Sequence, residues 1–271
     1  MKQLSLRELQ LFSLDILKDV HEFCVNEGIR YSLAYGTLLG AVRHQGFIPW
    51  DDDIDIIMPR PDYELFCSKY RSSKYKVSSP RNDKNCCIPF ARVFDNKCTT
   101  IFTRVPWHRK TYGVWIDIFP LDGVSENQSL EIKYATICSL LKKLKSQRYA
   151  IRKLSIKEPF LLNCKTLLRK VMTFNGRRLN QIVRKIDDTI KSDSFDDNEF
   201  FTQLVCPDDG LNDTHRVDLF SSIVDMPFED SAFRAFSRYD EYLKKLFGNY
   251  MELPPENQRK PKQTYVRFYW K

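Results

Sequence analysis

No stretch of this 271-residue chain is long and apolar enough to cross a bilayer as a helix, which argues against a helical membrane anchor within it. No secretory leader is visible either, because Arg7, Glu8, Asp15 and Asp19 interrupt what would have to be its apolar core, and a cytoplasmic protein is expected. Eight cysteines are present without a single C-x-x-C pair, so neither a zinc ribbon nor a redox motif is indicated. Cys86, Cys87 and Cys98 form the nearest thing to a group, but adjacent cysteines make poor tetrahedral ligands, and the thiols are read as reduced and structural. The acidic runs SDSFDDNE and PDDGLND lack the ligand spacing and closing glutamate of an EF-hand and are read as loops. A hydrophobic content of 42% and an aromatic content of 13% exclude a disordered chain.

What is present concentrates between Tyr31 and Pro59: YSLAYGTLLGAVRHQGFIPWDDDIDIIMP. The pattern predicts a strand over Tyr31 to Tyr35, a Gly36-Thr37 turn, a helix from Leu38 to Arg43, and a second strand opening on carboxylates. Strand alternation points Asp53 and Asp55 one way and Ile54 and Ile56 the other. Two aligned carboxylates repel, and a hard divalent cation, Mg²⁺ or Mn²⁺, is a natural counter-charge. Gly36 permits close approach of a phosphate, and Thr37 stands where an N-cap would open the helix toward an anion. Asp51 joins the expected metal set, better placed to support the pair than to be part of it, and Asp52 is expected to point away. A solvated acidic loop is the plain alternative, against which stands the apolar run Ile54 to Met58 directly behind it.

The run GTLLGAVRHQGFIPWDDDIDI closely resembles the signature of the LicD family, which includes bacterial phosphocholine transferases and, more distantly, the fukutin-type glycan phosphotransferases. The likeness continues in GVWIDIFPLDG and returns in DMPFED and YLKKLFGNYMELPPE. It implies an α+β, nucleotidyltransferase-like mixed sheet flanked by helices. It further implies Asp53 and Asp55 as a metal-binding pair and Asp117 as a third acid that holds a second ion or accepts a proton from the acceptor hydroxyl. Arg43 and His44 would neutralise phosphate charge, and Arg92, with Arg104, could reach donor phosphates. The implied reaction moves a substituted phosphate, as phosphocholine from CDP-choline, to a hydroxyl of a glycan such as lipopolysaccharide, teichoic acid or capsule, with release of a nucleoside monophosphate. Aromatic faces would receive a choline head group, with Trp107, Tyr112, Trp115, Tyr265, Phe268, Tyr269 and Trp270 as candidates.

Three regions are expected: a catalytic core with an N-terminal helix over 1–128, a basic helical lobe over 129–195, and a C-terminal region over 196–271 that returns to the core. The net charge of +8 is unevenly spread. Residues 142–185 carry fourteen Lys or Arg against Glu158 alone. Such a segment suits peripheral contact with an anionic membrane or an acidic glycan, and nucleic acid is not the expected partner. Two other readings use the same residues: a nucleotidyltransferase acting on RNA or protein, and a non-catalytic nucleic-acid-binding module.

Overall fold

A computed structural model describes residues 1–103, 112–125, 128–150, 176–191, 194–206, 210–261 and 266–271. In chain order the elements are α1 (Leu6–Glu27), β1 (Ser32–Leu33), α2 (Tyr35–His44), β2 (Asp55–Pro59), α3 (Arg60–Lys69), β3 (Tyr75–Ser78), β4 (Ala91–Asp95), β5 (Thr99–Thr103) and β6 (Trp115–Val124). There follow α4 (Gln128–Ala150), α5 (Gly176–Ile190), β7 (Phe200–Thr202), β8 (Thr214–Arg216), β9 (Ile223–Phe228), β10 (Ser231–Phe236), α6 (Tyr239–Phe247) and β11 (Val266–Trp270).

The architecture is α+β, a mixed sheet flanked by helices, as expected. Its strands run β1-β2-β6-β4-β3, with β7 and β8 continuing from β6. Among the described residues only the β2–β6 pairing is parallel, in the register Asp55 to Asp117. This single crossover brings two stretches 62 residues apart side by side at the same end of the sheet. Ile54, Ile56, Ile57, Ile116 and Ile118 are completely buried, so both faces of this strand pair are covered, as befits a parallel pair in the middle of a sheet.

α1 begins with a capping box, in which the Ser5 hydroxyl and the Glu8 carboxylate accept from each other's backbone N–H groups. It ends on Gly28, whose φ of 68° is the left-handed cap that glycine adopts without strain. Leu9, Ile16, Leu17 and Val20 face the core. α4 and α5 pack together and bury Ile137, Leu144, Leu179, Val183 and Ile186. Lys142, Lys143, Lys145 and Lys185 stay exposed. Arg184 instead ties α5 to the core through the carbonyls of Pro80 and Arg81. Among the described residues no helix is long and apolar enough to cross a membrane.

The spacing also predicts a pair of strands over 88–95 and 99–102 joined by the turn Asn96-Lys97, and a strand from Val114 ended by Pro120. It further predicts a turn or capping role for Asp122 and a helix over Phe233 to Phe247. These four expectations and the start of α2 are corrected. The helix expected to start at Leu38 starts at Tyr35, which shortens β1 to two residues. β4 and β5 do not form a hairpin across Asn96-Lys97: β4 joins β6 and β3, whereas β5 pairs with the C-terminal β11. Pro120 does not end β6. It falls after β4 pairing stops at Ile118 and before β7 pairing starts at Asp122, so its missing N–H costs no ladder bond on that side. Asp122, expected in a turn, is therefore a fully buried strand residue. Finally, the helix expected over Phe233 to Phe247 is a strand followed by a helix, because Phe233 and Ala235 alternate with exposed Arg234 before the chain turns at Ser237.

Asp122 ties β6 to α3 and, through Arg60, to α5. Its two carboxylate oxygens accept from Arg60 Nε and a terminal nitrogen at 2.7 and 2.8 Å. The other terminal nitrogen of Arg60 reaches Asp187 on α5 at 2.8 Å, and Arg81 holds the second oxygen of Asp187 at 2.7 Å. Burial alone would lower the Arg60 pKa, but Asp122 and Asp187 outweigh it and raise it, so the guanidinium stays charged. Removing one member strands a buried charge. Asp122→Ala is expected to cost about 3–5 kcal/mol in urea unfolding monitored by circular dichroism. A loss within the scatter of surface substitutions, about 0.5 kcal/mol, would show that the network carries little of the stability.

Candidate active site

The first turn of α2 and the loop before β2 meet at the mouth of the β2–β6 pair. α2 has no side-chain cap: Ala34 precedes it in extended backbone, and Tyr35 opens it with a φ of 47°. Thr37 is thus inside the helix, not its cap, and its Oγ1 accepts the backbone N–H of Asp55 at 2.9 Å. Gly36 faces the acidic loop so closely that a Cβ there would come within 2.7 Å of Asp51 Oδ2. One turn further, a Cβ on Gly40 would lie 2.5 Å from the carbonyl oxygen of Gly46. Both glycines therefore let the helix press against the loop that carries the acids.

Asp51, Asp52 and Asp53 each offer a carboxylate oxygen, and the three oxygens lie within 4.8 Å of one another. Asp52 accordingly joins the cluster, contrary to the expectation that it points away. Asp51, Asp53 and Asp55 all line one cavity of about 580 Å³, together with Tyr35, Gly36 and Arg43. Its opposite wall comes from the C-terminal part of the chain, through Phe247, Tyr250, Glu252 and Lys260. Half-buried carboxylate oxygens in this number suit a hard divalent cation, and a cavity of this size suits a small activated donor.

Asp117 departs from its expected part. It sits beside Asp55 in register, but its two oxygens accept from Arg92 Nε at 2.6 Å and a terminal nitrogen at 3.1 Å. The Arg92 guanidinium also lies over the Trp115 ring, 4.3 Å from its centroid. Burial pushes the Asp117 carboxyl above its ordinary range; Arg92 opposes this and Asp53 adds to it. Arg92 is thus engaged inside the sheet, where it balances Asp117, and neither residue lines the cavity. Arg104 lies outside the described residues.

The family model for the LicD/FKTN/FKRP nucleotidyltransferase domain matches residues 28–148, the span that holds α2, the acidic loop and β6. The lipopolysaccharide cholinephosphotransferase LicD of Haemophilus influenzae is 31% identical over 96% of this chain and 97% of its own length. The chain belongs to the LicD family. Two uncharacterized rickettsial proteins share shorter stretches. That of Rickettsia typhi is 30% identical over 49% of this chain and 41% of its own length. That of Rickettsia prowazekii is 38% identical over 36% and 39%.

In this LicD protein Arg43 reaches the cavity but also braces its far wall, donating to the carbonyls of Tyr250 at 2.8 Å and Glu252 at 3.3 Å. Its Nε donates to His44 Nε2 at 3.0 Å. His44 packs edge-on to Trp50 and does not line the cavity, so the structure gives it a supporting place rather than a phosphate contact. The aromatic candidates for a cationic head group are also misplaced. Tyr112 packs on Phe94, Trp115 on Phe268, and Trp270 on Phe12, while Tyr269 sits in β11 beside the N-terminus. Trp107 and Tyr265 lie outside the described residues. The rings that do face the cavity are Tyr35, Trp50, Phe119, Phe247 and Tyr250. Spacing within the acidic motif could not reveal the wall at 247–260; the only pointer was the family likeness of GNYMELPPE.

Burial first, and then the neighbouring Arg43 charge, lower the His44 pKa below that of a free histidine, and the ring accepts from Arg43 only when neutral. Titration followed by histidine Cε1–H chemical shift is expected to place His44 below about 6.5, and Arg43→Gln is expected to raise it. A His44 pKa unmoved by that substitution would contradict the contact.

Proposed function

We propose that this chain is a LicD-type phosphotransferase that moves a substituted phosphate, phosphocholine from CDP-choline, onto a hydroxyl of a cell-surface glycan and releases a nucleoside monophosphate. The observation that carries this reading is the convergence of Asp51, Asp53 and Asp55 on one cavity against the first turn of α2. Support for the donor and acceptor classes comes from the near full-length likeness to a lipopolysaccharide cholinephosphotransferase.

Phosphoryl-group transfer asks for positioning and charge neutralisation more than covalent chemistry. Asp51, Asp52 and Asp53 are the residues that would hold Mg²⁺ or Mn²⁺, and the ion when bound would neutralise charge on the donor diphosphate. Arg43 and Lys260 place further positive charge on the cavity wall. Asp55, on the same cavity but outside the three-residue cluster, is assigned to accept the proton of the acceptor hydroxyl. Trp50 and Tyr250 are aromatic surfaces suited to a quaternary ammonium, and Glu252 adds a negative charge beside them. The basic segment over 142–185, of which residues 151–175 lie outside the described residues, is read as an added lobe and suits work on an anionic or lipid-linked acceptor at the inner face of the cytoplasmic membrane.

Incubating the protein with Mg²⁺, CDP-choline and acceptor extract is expected to release CMP. Asp53→Asn should lower that release by about 10²–10³-fold, the scale of losing one preorganised electrostatic stabiliser. Appearance of a cytidylyl group on the acceptor, with no CMP, would instead identify a nucleotidyltransferase. CMP release unaffected by Asp53→Asn would overturn the assignment of the acids.

A further inference from the structure

Behind the cavity wall lies a buried polar chain that the proposed chemistry does not use. The Tyr35 hydroxyl donates to Asp213 Oδ2 at 2.7 Å. The other oxygen of Asp213 lies 3.1 Å from His215 Nε2. Asp213 and His215 are only 6% and 3% exposed, so both contacts are shielded from water. Asp213 ends a 3-10 turn (Gly210–Asp213) and His215 sits on β8, whose pairing with β7 at Phe201 joins this region to the main sheet.

Tyr35 occupies a position that is hard to hold. Its φ of 47° is one that a bulky residue adopts only when its surroundings compel it, and α2 has no side-chain cap to fix where the helix begins. The ring is held by Asp213 at its hydroxyl, by Phe119 edge-on at a centroid distance of 5.8 Å and by the tilted ring of Tyr242 at 6.3 Å. The next two residues carry that placement directly to the acids. Gly36 abuts the Asp51 carboxylate, and Thr37 Oγ1 accepts the Asp55 amide.

We propose that Asp213 is a positioning residue for the acidic cluster: by holding the Tyr35 hydroxyl it fixes the first turn of α2, and with it the place of the Asp51 carboxylate that Gly36 abuts. The inference rests on the cation role given above to the acids. Asp213 acts at a distance of three linked contacts and does not itself meet the donor or the ion. His215 completes the device by engaging the second oxygen, so that the carboxylate cannot rotate away from Tyr35.

The test uses Mn²⁺ alone as the probe, with free ion followed by electron paramagnetic resonance on the full chain. Tyr35→Phe deletes only the donor. Asp213→Asn keeps the shape, but its amide can accept from one partner only and turns an N–H₂ toward the other. Each is expected to weaken Mn²⁺ binding by roughly 10- to 100-fold, the usual effect of losing an outer support of metal ligands. The double variant should be no weaker than the weaker single one, since both remove the same bond. Tyr70→Phe is the matched control: it deletes a tyrosine hydroxyl bonded to Asp19 at 2.5 Å, among residues that do not line the cavity, and Mn²⁺ affinity should not change. Wild-type affinity in Tyr35→Phe, or strictly additive losses in the double variant, would overturn the positioning role while leaving the cation site standing. Absence of Mn²⁺ binding by the unaltered protein would overturn the cation role itself, and this inference with it. Should Asp213→Asn fail to fold, Tyr35→Phe decides alone.

Discussion

Mutual repulsion among the carboxylates at 51, 52 and 53, whose oxygens stand within 4.8 Å of one another, is the constraint around which the neighbouring structure is arranged. Such crowding is unfavourable unless positive charge or donors answer it. The protein brings a bare helix start, a glycine in place of a side chain and an arginine to the cavity that Asp51 and Asp53 line. None of these closes the cavity, which leaves the acids facing a space that a cationic or phosphate-bearing ligand can enter.

Strand β6 explains how so much charge is accommodated in a sheet core. It carries two buried aspartates, Asp117 and Asp122, and each is gripped at both oxygens by an arginine from a neighbouring element, Arg92 on β4 and Arg60 on α3. The two pairs do different work. Arg60–Asp122 extends through Asp187 to fasten α5, whereas Arg92–Asp117 lies next to the acidic loop and keeps a fourth charge from adding to the cluster. This division is why Asp117, apparently equivalent to Asp53 and Asp55 in the motif, does not share their cavity.

Much of this was legible in the chain. The recurrence of Leu9, Phe12, Ile16, Val20 and Phe23 marked α1 with Gly28 to end it, and alternation placed Asp53 and Asp55 opposite Ile54 and Ile56. What escaped depended on partners distant in sequence. Nothing local distinguishes an aspartate that awaits a cation from one already matched by an arginine 25 residues earlier, as Asp117 is. The β5–β11 pairing joins segments more than 160 residues apart, so a nearby turn made β4–β5 look like a hairpin. Phe233 and Phe236 satisfy helical spacing as well as they satisfy a strand, and pairing with β9 decides between them. The dependence of Tyr35 on Asp213 had no signal in the sequence at all.

Diffraction at the manganese absorption edge, from crystals grown with Mn²⁺ and CDP-choline, tests the central claim most directly. An anomalous peak bounded by the carboxylates of Asp51 and Asp53, on the side of the cavity walled by Gly36, is the result predicted. A peak elsewhere in the molecule, or a donor bound in that cavity with no metal beside those carboxylates, would contradict it.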